Sequence, residues 1–91
     1  MFVETVSAPR PEWESWTERL RLFTDPPPAL VSCIAWSAGD STIINVNVWE
    51  NAAAVADFYL DRVEPVIDSY GEPAHKPVRH GEPVAMYLRP A

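Results

Sequence analysis

Proline is the residue that most constrains the fold of this 91-residue chain, because ten of its residues are prolines. They cluster at 9–11, 26–28, 65, 73–77 and 83–90. Proline fixes φ and removes a backbone donor, so most of these clusters belong in connections between helices and strands. The chain is thereby divided into short segments, and its length predicts a single domain covering residues 1–91.

Several of these segments are rich in β-branched and aromatic residues, as strands are. The predicted strands are residues 2–6 (FVETV), 30–37 (LVSCIAWS), 42–49 (TIINVNVW) and 84–88 (VAMYL). A short extended piece around residues 77–80 precedes the last strand in one interpretation. The turn signal at 38–41 makes the second and third strands an antiparallel hairpin.

Two segments show helical periodicity instead. Residues 11–23 carry Trp13, Trp16, Leu20 and Phe23 on one helix face. Residues 51–70 predict a second helix that begins at an Asn51 N-cap, is distorted by Pro65 and ends at a glycine. The order β-α-β-β-α-β predicts an α+β, ferredoxin-like domain, with an antiparallel four-stranded sheet and two helices on one face.

Charge and cysteine content exclude several classes of function. Seven basic and 13 acidic residues give a net charge of −6, so we expect no nucleic-acid partner and no anionic membrane surface. One cysteine and two histidines form no zinc pattern and no internal disulfide. No signal peptide or nucleotide-binding loop is recognisable, and we expect a cytoplasmic protein without a metal or other cofactor.

Alternation along the third strand separates a mixed face from an aliphatic one. The mixed face carries Ile43, Asn45, Asn47 and Trp49, and the aliphatic face carries Ile44, Val46 and Val48. The aliphatic set is expected under the helices and the mixed set on the uncovered side of the sheet, together with Ile34 and Trp36. Since monomers seldom expose such a patch, a homodimer through this sheet face is expected, enclosing a partly polar space.

The element order and the segment NVNVWENAAAVADFYLDRVEP resemble the dimeric α/β-barrel superfamily. Within it, the segment is most similar to small actinobacterial proteins near the antibiotic-biosynthesis monooxygenase group, which often carry Val-Trp-Glu and a polar capping residue, here residues 48–51. The resemblance implies cofactor-independent oxygenation of an aromatic or polyketide-like molecule, with Asn45 and Trp49 in the cavity. A tyrosine of that family corresponds to Val55, and the second helix has no histidine to ligate haem.

The resemblance also implies roles for individual residues. Trp49 would stack on the substrate, and Asn45 would donate a hydrogen bond to the developing oxyanion. The substrate-binding candidates are Asn47, Trp36, Ile43 and Ile34, and His80 is a further candidate base. The alternative for the asparagines and tryptophans is a structural lining that hydrogen-bonds across the dimer.

Other candidates have simpler interpretations. His75 and His80 are expected in exposed loops, and the alternative for either histidine is a base that acts near neutral pH. Cys33 is expected to be a buried, inert thiol. An acidic row on the second helix (Asp57, Asp61, Glu64, Asp68) is expected to be solvated, or else to dock a basic partner. Three functions therefore stay open: an enzyme, which could also be an isomerase; a non-catalytic small-molecule-binding barrel; and a structural dimer.

Overall fold

A computed structural model describes residues 1–87 of the chain. Its elements are β1 (Phe2–Pro9), α1 (Arg10–Leu20), β2 (Leu30–Ser37), β3 (Thr42–Trp49), α2 (Ala52–Phe58), α3 (Glu64–Tyr70) and β4 (Val78–Gly81). A π-helical turn, Tyr59–Val63, joins α2 to α3. The predicted bounds of the second and third strands agree with β2 and β3.

The four strands form one antiparallel sheet in the order β2-β3-β1-β4. Strands β1 and β3 occupy the centre and pair along their whole length, from Phe2 opposite Trp49 to Pro9 opposite Thr42. The helix α1 and the continuous helical segment α2–α3 pack on one face of this sheet. The architecture is α+β and compatible with a ferredoxin-like fold.

The prediction of a last strand at 84–88 is wrong for the described part of that segment. Strand β4 lies earlier, at Val78–Gly81, and residues 84–87 have no regular secondary structure, while Leu88 is outside the described residues. Gly81 has a φ of 91°, which favours glycine, and Pro83 lacks a backbone donor. These two residues end the pairing with β1 before the apolar segment begins.

The second helix begins and bends where the sequence predicts. The Asn51 side chain accepts a hydrogen bond of 2.8 Å from the backbone N–H of Ala54, which is an N-cap. Pro65 has no N–H to donate to the carbonyl of Asp61, four residues earlier. The wider π-helical turn immediately before α3 accommodates this missing hydrogen bond, as π-turns inside helices often do.

The predicted orientation of the third strand is wrong. The mixed set Ile43, Asn45, Asn47 and Trp49 is buried under the helices, with exposed fractions of 0–5 %. The aliphatic set Ile44, Val46 and Val48 is only partly buried and lies on the uncovered face. The buried amides have hydrogen-bond partners on β1 and α1, described below, so their burial leaves no polar group unsatisfied.

On β2 the predicted orientation is confirmed for Ile34 and Trp36. Ile34 and Trp36 lie opposite Val46 and Ile44 of β3 and are 60 % and 46 % exposed on the uncovered face. Cys33 and Ala35 alternate with them on the inner face, opposite Asn47 and Asn45. Within residues 1–87, no helix combines the length and the apolar character needed to cross a membrane.

The N-cap provides a test of how α2 is held in place. We expect Asn51→Ala to lower the free energy of unfolding by about 1 kcal/mol, because the Ala54 N–H loses its acceptor. Asn51→Asp is the matched control, since aspartate caps helices equally well. Urea denaturation followed by circular dichroism measures both, and equal losses in the two variants would contradict the capping role.

Candidate functional site

A chain of side-chain hydrogen bonds runs beneath the helices across the inner face of the sheet. Trp13 Nε1 donates to Asn45 Oδ1 at 2.9 Å, and Asn45 Nδ2 donates to Asn47 Oδ1 at 2.8 Å. Asn47 Nδ2 then donates to Glu4 Oε1 at 3.1 Å. The same carboxyl oxygen accepts a second hydrogen bond, of 3.0 Å, from Trp49 Nε1. Helix α1 and strands β3 and β1 are linked by this chain.

The two end residues of this hydrogen-bond network, Trp13 and Glu4, determine the direction of every hydrogen bond between them. The Trp13 indole nitrogen can only donate, so Asn45 must present its oxygen to it. A carboxylate can only accept, so Asn47 must present its nitrogen to Glu4. With both amides oriented in this way, the donors all point towards Glu4. The network is therefore a directed one, which ends at a buried carboxyl group.

Glu4 is 5 % exposed, and Asn47 and Trp49 hold one of its two oxygens. Among residues 1–87, its recorded hydrogen bonds all go to Oε1. Glu4 also lines a cavity, so its second oxygen is the one free to meet a bound molecule. A carboxyl group anchored in this way can accept a proton from a ligand if its reacting atom lies within hydrogen-bond distance.

The cavity has a volume of about 790 Å³ and lies between the inner face of the sheet, α1 and the helical segment α2–α3. Its floor carries the polar side chains of Glu4, Asn45 and Asn47. Its walls include four aromatic side chains, Trp13, Trp16, Phe58 and Tyr59. An apolar enclosure with a few convergent polar groups is the usual form of a small-molecule site.

Arg62 does not line the cavity, but its side chain reaches the end of α1, where Leu20 does. Its Nη1 donates to the backbone oxygens of Leu20, at 3.2 Å, and Asp25, at 2.5 Å. The π-helical turn is thereby tied to the end of α1 through a side chain. Because the tie is a long side chain rather than direct packing of two helix surfaces, space remains between the helices.

Residues 72–77 form part of the cavity rim and are attached to α1. Glu12 accepts hydrogen bonds from the backbone N–H groups of Ala74 and His75, at 3.0 and 3.2 Å, and pairs with the His75 ring. Lys76 Nζ lies 2.7 Å from Glu72 Oε2, and this contact raises the pKa of the lysine. His75 and Lys76 thus reach the cavity, but each is engaged by a carboxylate.

The structure brings some of the predicted site residues together. Asn45 and Asn47 line the cavity floor, although from the covered face rather than from the uncovered one. Trp49 is completely buried and packs against Phe58, with ring centroids 4.9 Å apart. Trp49 and Ile43 lie on the inner face but are not among the residues that line the cavity.

The other predicted site residues lie on the opposite side of the sheet. Ile34 and Trp36 are on the uncovered face and cannot contact a molecule in the cavity. His80 also points away from the cavity, since its Nε2 is 2.8 Å from Thr5 Oγ1. Thr5 alternates with the inward-facing Glu4, so this pair is on the uncovered face as well.

Glu4 is the site residue that the sequence interpretation missed. The composition of FVETV predicts an apolar strand, and the alternation of this strand places Glu4 on the same face as Phe2 and Val6. A charged residue at such a position, in a strand followed later by two alternating asparagines, is a detectable signal of a buried polar network. The helical periodicity of Trp13 predicts a core position, and the structure shows that Trp13 also supplies the first donor of that network.

Cys33 lies beside the network, with its sulfur 3.5 Å from Asn45 Nδ2. Burial raises the pKa of the Cys33 thiol, the Asn45 contact opposes this rise, and the nearby Glu4 charge adds to it. The balance keeps the thiol protonated near neutral pH. A protonated thiol is a poor nucleophile, which argues against a catalytic role for this residue.

No group of three or more potential ligands among residues 1–87 is arranged to hold a metal ion. Neither profiles of known protein families nor the curated proteins yield a match to this chain.

The environment of Cys33 makes its reactivity a test of the site geometry. Cys33 is only partly buried rather than fully buried as predicted. We still expect iodoacetamide to label the folded protein at neutral pH more slowly than the urea-unfolded protein, because the pKa of the thiol is raised in the folded state. The labelling rate should rise only at a pH above that for the unfolded chain. Mass spectrometry measures both rates, with Cys33→Ser as the blank, and equal rates would mean that Cys33 is not buried beside Asn45.

Proposed function

We propose that the protein is an enzyme that binds a flat, apolar, aromatic or polyketide-like molecule in the cavity and removes a proton from it with Glu4. The observation that carries this proposal is the directed network of hydrogen bonds, which ends at a carboxyl group on the floor of a cavity with mainly apolar walls. Aromatic walls suit a planar ligand, and the anchored carboxyl group suits general-base catalysis.

Cofactor-independent oxygenation is the most specific form of this reaction. Glu4 takes a proton from a CH₂ group next to a carbonyl, and the electron pair of the broken C–H bond spreads onto the carbonyl oxygen. The carbanion then reduces O₂ and forms a C–O bond with it, and loss of water leaves a new carbonyl. Overall, R₂CH₂ + O₂ gives R₂C=O + H₂O. Returning the proton to another carbon would be an isomerisation instead.

In this mechanism Asn45 stabilises the oxyanion and Trp49 positions Glu4. One Asn45 N–H faces the Cys33 sulfur at 3.5 Å, a weak acceptor that a ligand oxygen can replace. Asn45 can therefore donate to the developing oxyanion, as the sequence resemblance implies. Trp49 is a positioning residue, because its indole N–H holds Glu4 Oε1 and its ring does not line the cavity.

A second candidate is a non-catalytic binding protein for the same class of ligand. It is favoured by one observation, namely that the amides of the floor already satisfy each other. Both candidates bind the ligand, but only the enzyme converts it to a product. The effect of replacing Glu4 on turnover therefore distinguishes the two candidates.

Anthrone, a tricyclic ketone with an acidic CH₂ group, is a suitable probe. We expect the protein to convert it to anthraquinone with consumption of O₂, and Glu4→Gln to lower the rate by about 100-fold or more, because glutamine cannot accept the proton. Asn45→Ala and Trp49→Phe should cause smaller losses. An oxygen electrode and the quinone absorbance report turnover, and quenching of tryptophan fluorescence reports binding.

Glu14→Gln is the matched control, since Glu14 is half-exposed and pairs with Arg10 on the surface of α1. Its turnover should equal that of the unchanged protein. Binding of anthrone without turnover would favour the non-catalytic candidate. Equal turnover in Glu4→Gln would reject Glu4 as the base.

The proposal also includes a homodimer of the dimeric α/β-barrel type, formed through the uncovered face of the sheet. On β1–β4 this face carries neither acidic residues nor lysine or arginine, although the whole chain has a net charge of −6. Its centre consists of the aliphatic Val46 and Ile44 beside the exposed Ile34 and Trp36. An uncharged apolar sheet of this kind favours contact with a second copy.

A charge placed on this face should separate the subunits. We expect Ile34→Glu to convert the dimer to a monomer, because two like charges would be buried in the interface, and to leave the helical circular dichroism unchanged. Ser69→Glu adds the same charge on α3 and should stay dimeric. Analytical ultracentrifugation measures both, and a monomeric unchanged protein would contradict the dimer.

A further inference from the structure

The charged side chains around the cavity rim are paired with one exception. Glu12 pairs with His75, and Glu72 with Lys76. Arg79 also lines the cavity, yet within residues 1–87 it forms none of the ion pairs closer than 4.0 Å.

Arg79 is placed next to the proposed base. It lies opposite Glu4 in the β1–β4 register, and directly opposed residues of antiparallel strands share one face, with Cα atoms about 4.5–5.5 Å apart. The two side chains still form no salt bridge, and the recorded hydrogen bonds of Glu4 come from Asn47 and Trp49. Two groups of opposite charge therefore face the same cavity without neutralising each other.

The Tyr59 ring flanks the guanidinium group of Arg79, with its centroid 6.0 Å from Cζ. An exposed arginine beside an aromatic wall keeps its planar set of donors available for an oxyanion. Most of the remaining cavity surface is apolar, and the charged groups at its rim are already paired with one another. A ligand that uses the whole site thus needs an aromatic body and one negatively charged oxygen group at its end.

We infer that Arg79 selects anionic aromatic ligands, by binding a carboxylate or another oxyanion next to the atom that faces Glu4. This inference rests on the proposed function and narrows its substrate class. A neutral aromatic molecule would fill the apolar cavity equally well but leave the arginine without a partner. The positive charge of Arg79 would also offset the repulsion that Glu4 exerts on the carboxylate of the ligand.

Two probes of the same shape test this selection. We expect 2-naphthoate to bind roughly tenfold more tightly than 2-naphthamide, because only the carboxylate forms charge-assisted hydrogen bonds with Arg79. Arg79→Gln should lower the affinity for 2-naphthoate, leave that for 2-naphthamide unchanged and so remove the difference. Added sodium chloride should also lower the affinity for 2-naphthoate, because salt screens the charge of Arg79. Quenching of tryptophan fluorescence, checked by calorimetry, measures the affinities.

Arg21→Gln is the matched control, since it removes the same charge from a residue that does not line the cavity. It should leave both affinities unchanged. Equal binding of the two probes, or an unchanged naphthoate affinity in Arg79→Gln, would overturn the selection by Arg79 while leaving the proposed function in place. Failure of both probes to bind would overturn the proposed function together with this inference.

Discussion

A carboxyl group buried beneath two helices needs donors, and Glu4 obtains both of its recorded donors from β3. A buried polar group without a partner costs about 1–3 kcal/mol, so this requirement is a strong constraint on how the strands pair. If β1 slipped by one residue against β3, Glu4 would move to the uncovered face, away from Asn47 and Trp49. The polar network therefore selects the register on which the sheet and the cavity floor depend.

Features that depend on one segment were predictable from the sequence, whereas features that depend on contacts between distant segments, such as the donors of Glu4, were not. Strands β2 and β3, the Asn51 cap and the distortion at Pro65 follow from local composition and stereochemistry, which a single segment contains. The orientation of β3 does not, because the aliphatic Ile44, Val46 and Val48 are more hydrophobic than the asparagine set. Asn45 and Asn47 are buried because they form hydrogen bonds with Trp13 and Glu4. These two partners lie 32 and 43 residues away in sequence, so the segment that contains β3 carries no sign of them.

The last strand shows a different limit. Residues 84–87 have the composition of a strand, but strand formation also requires backbone donors that can reach a neighbouring edge. Gly81 and Pro83 end that pairing at the preceding residues, so the less hydrophobic Val78–Gly81 becomes β4. This shift also matters for the site, because it places Arg79 opposite Glu4 and directs His80 to the other face.

The central position of β1 in the sheet has a consequence for the order of folding. Its hydrogen-bonded partners on β3 and β4 lie as far as 45 and 75 residues along the chain. Contacts of such long range form slowly, whereas the β2–β3 hairpin closes across the four residues 38–41. During synthesis the hairpin can therefore form first and act as a template, to which β1 adds as the third strand. The cavity is completed last, when β4 and the rim segment 72–77 join the sheet and α1.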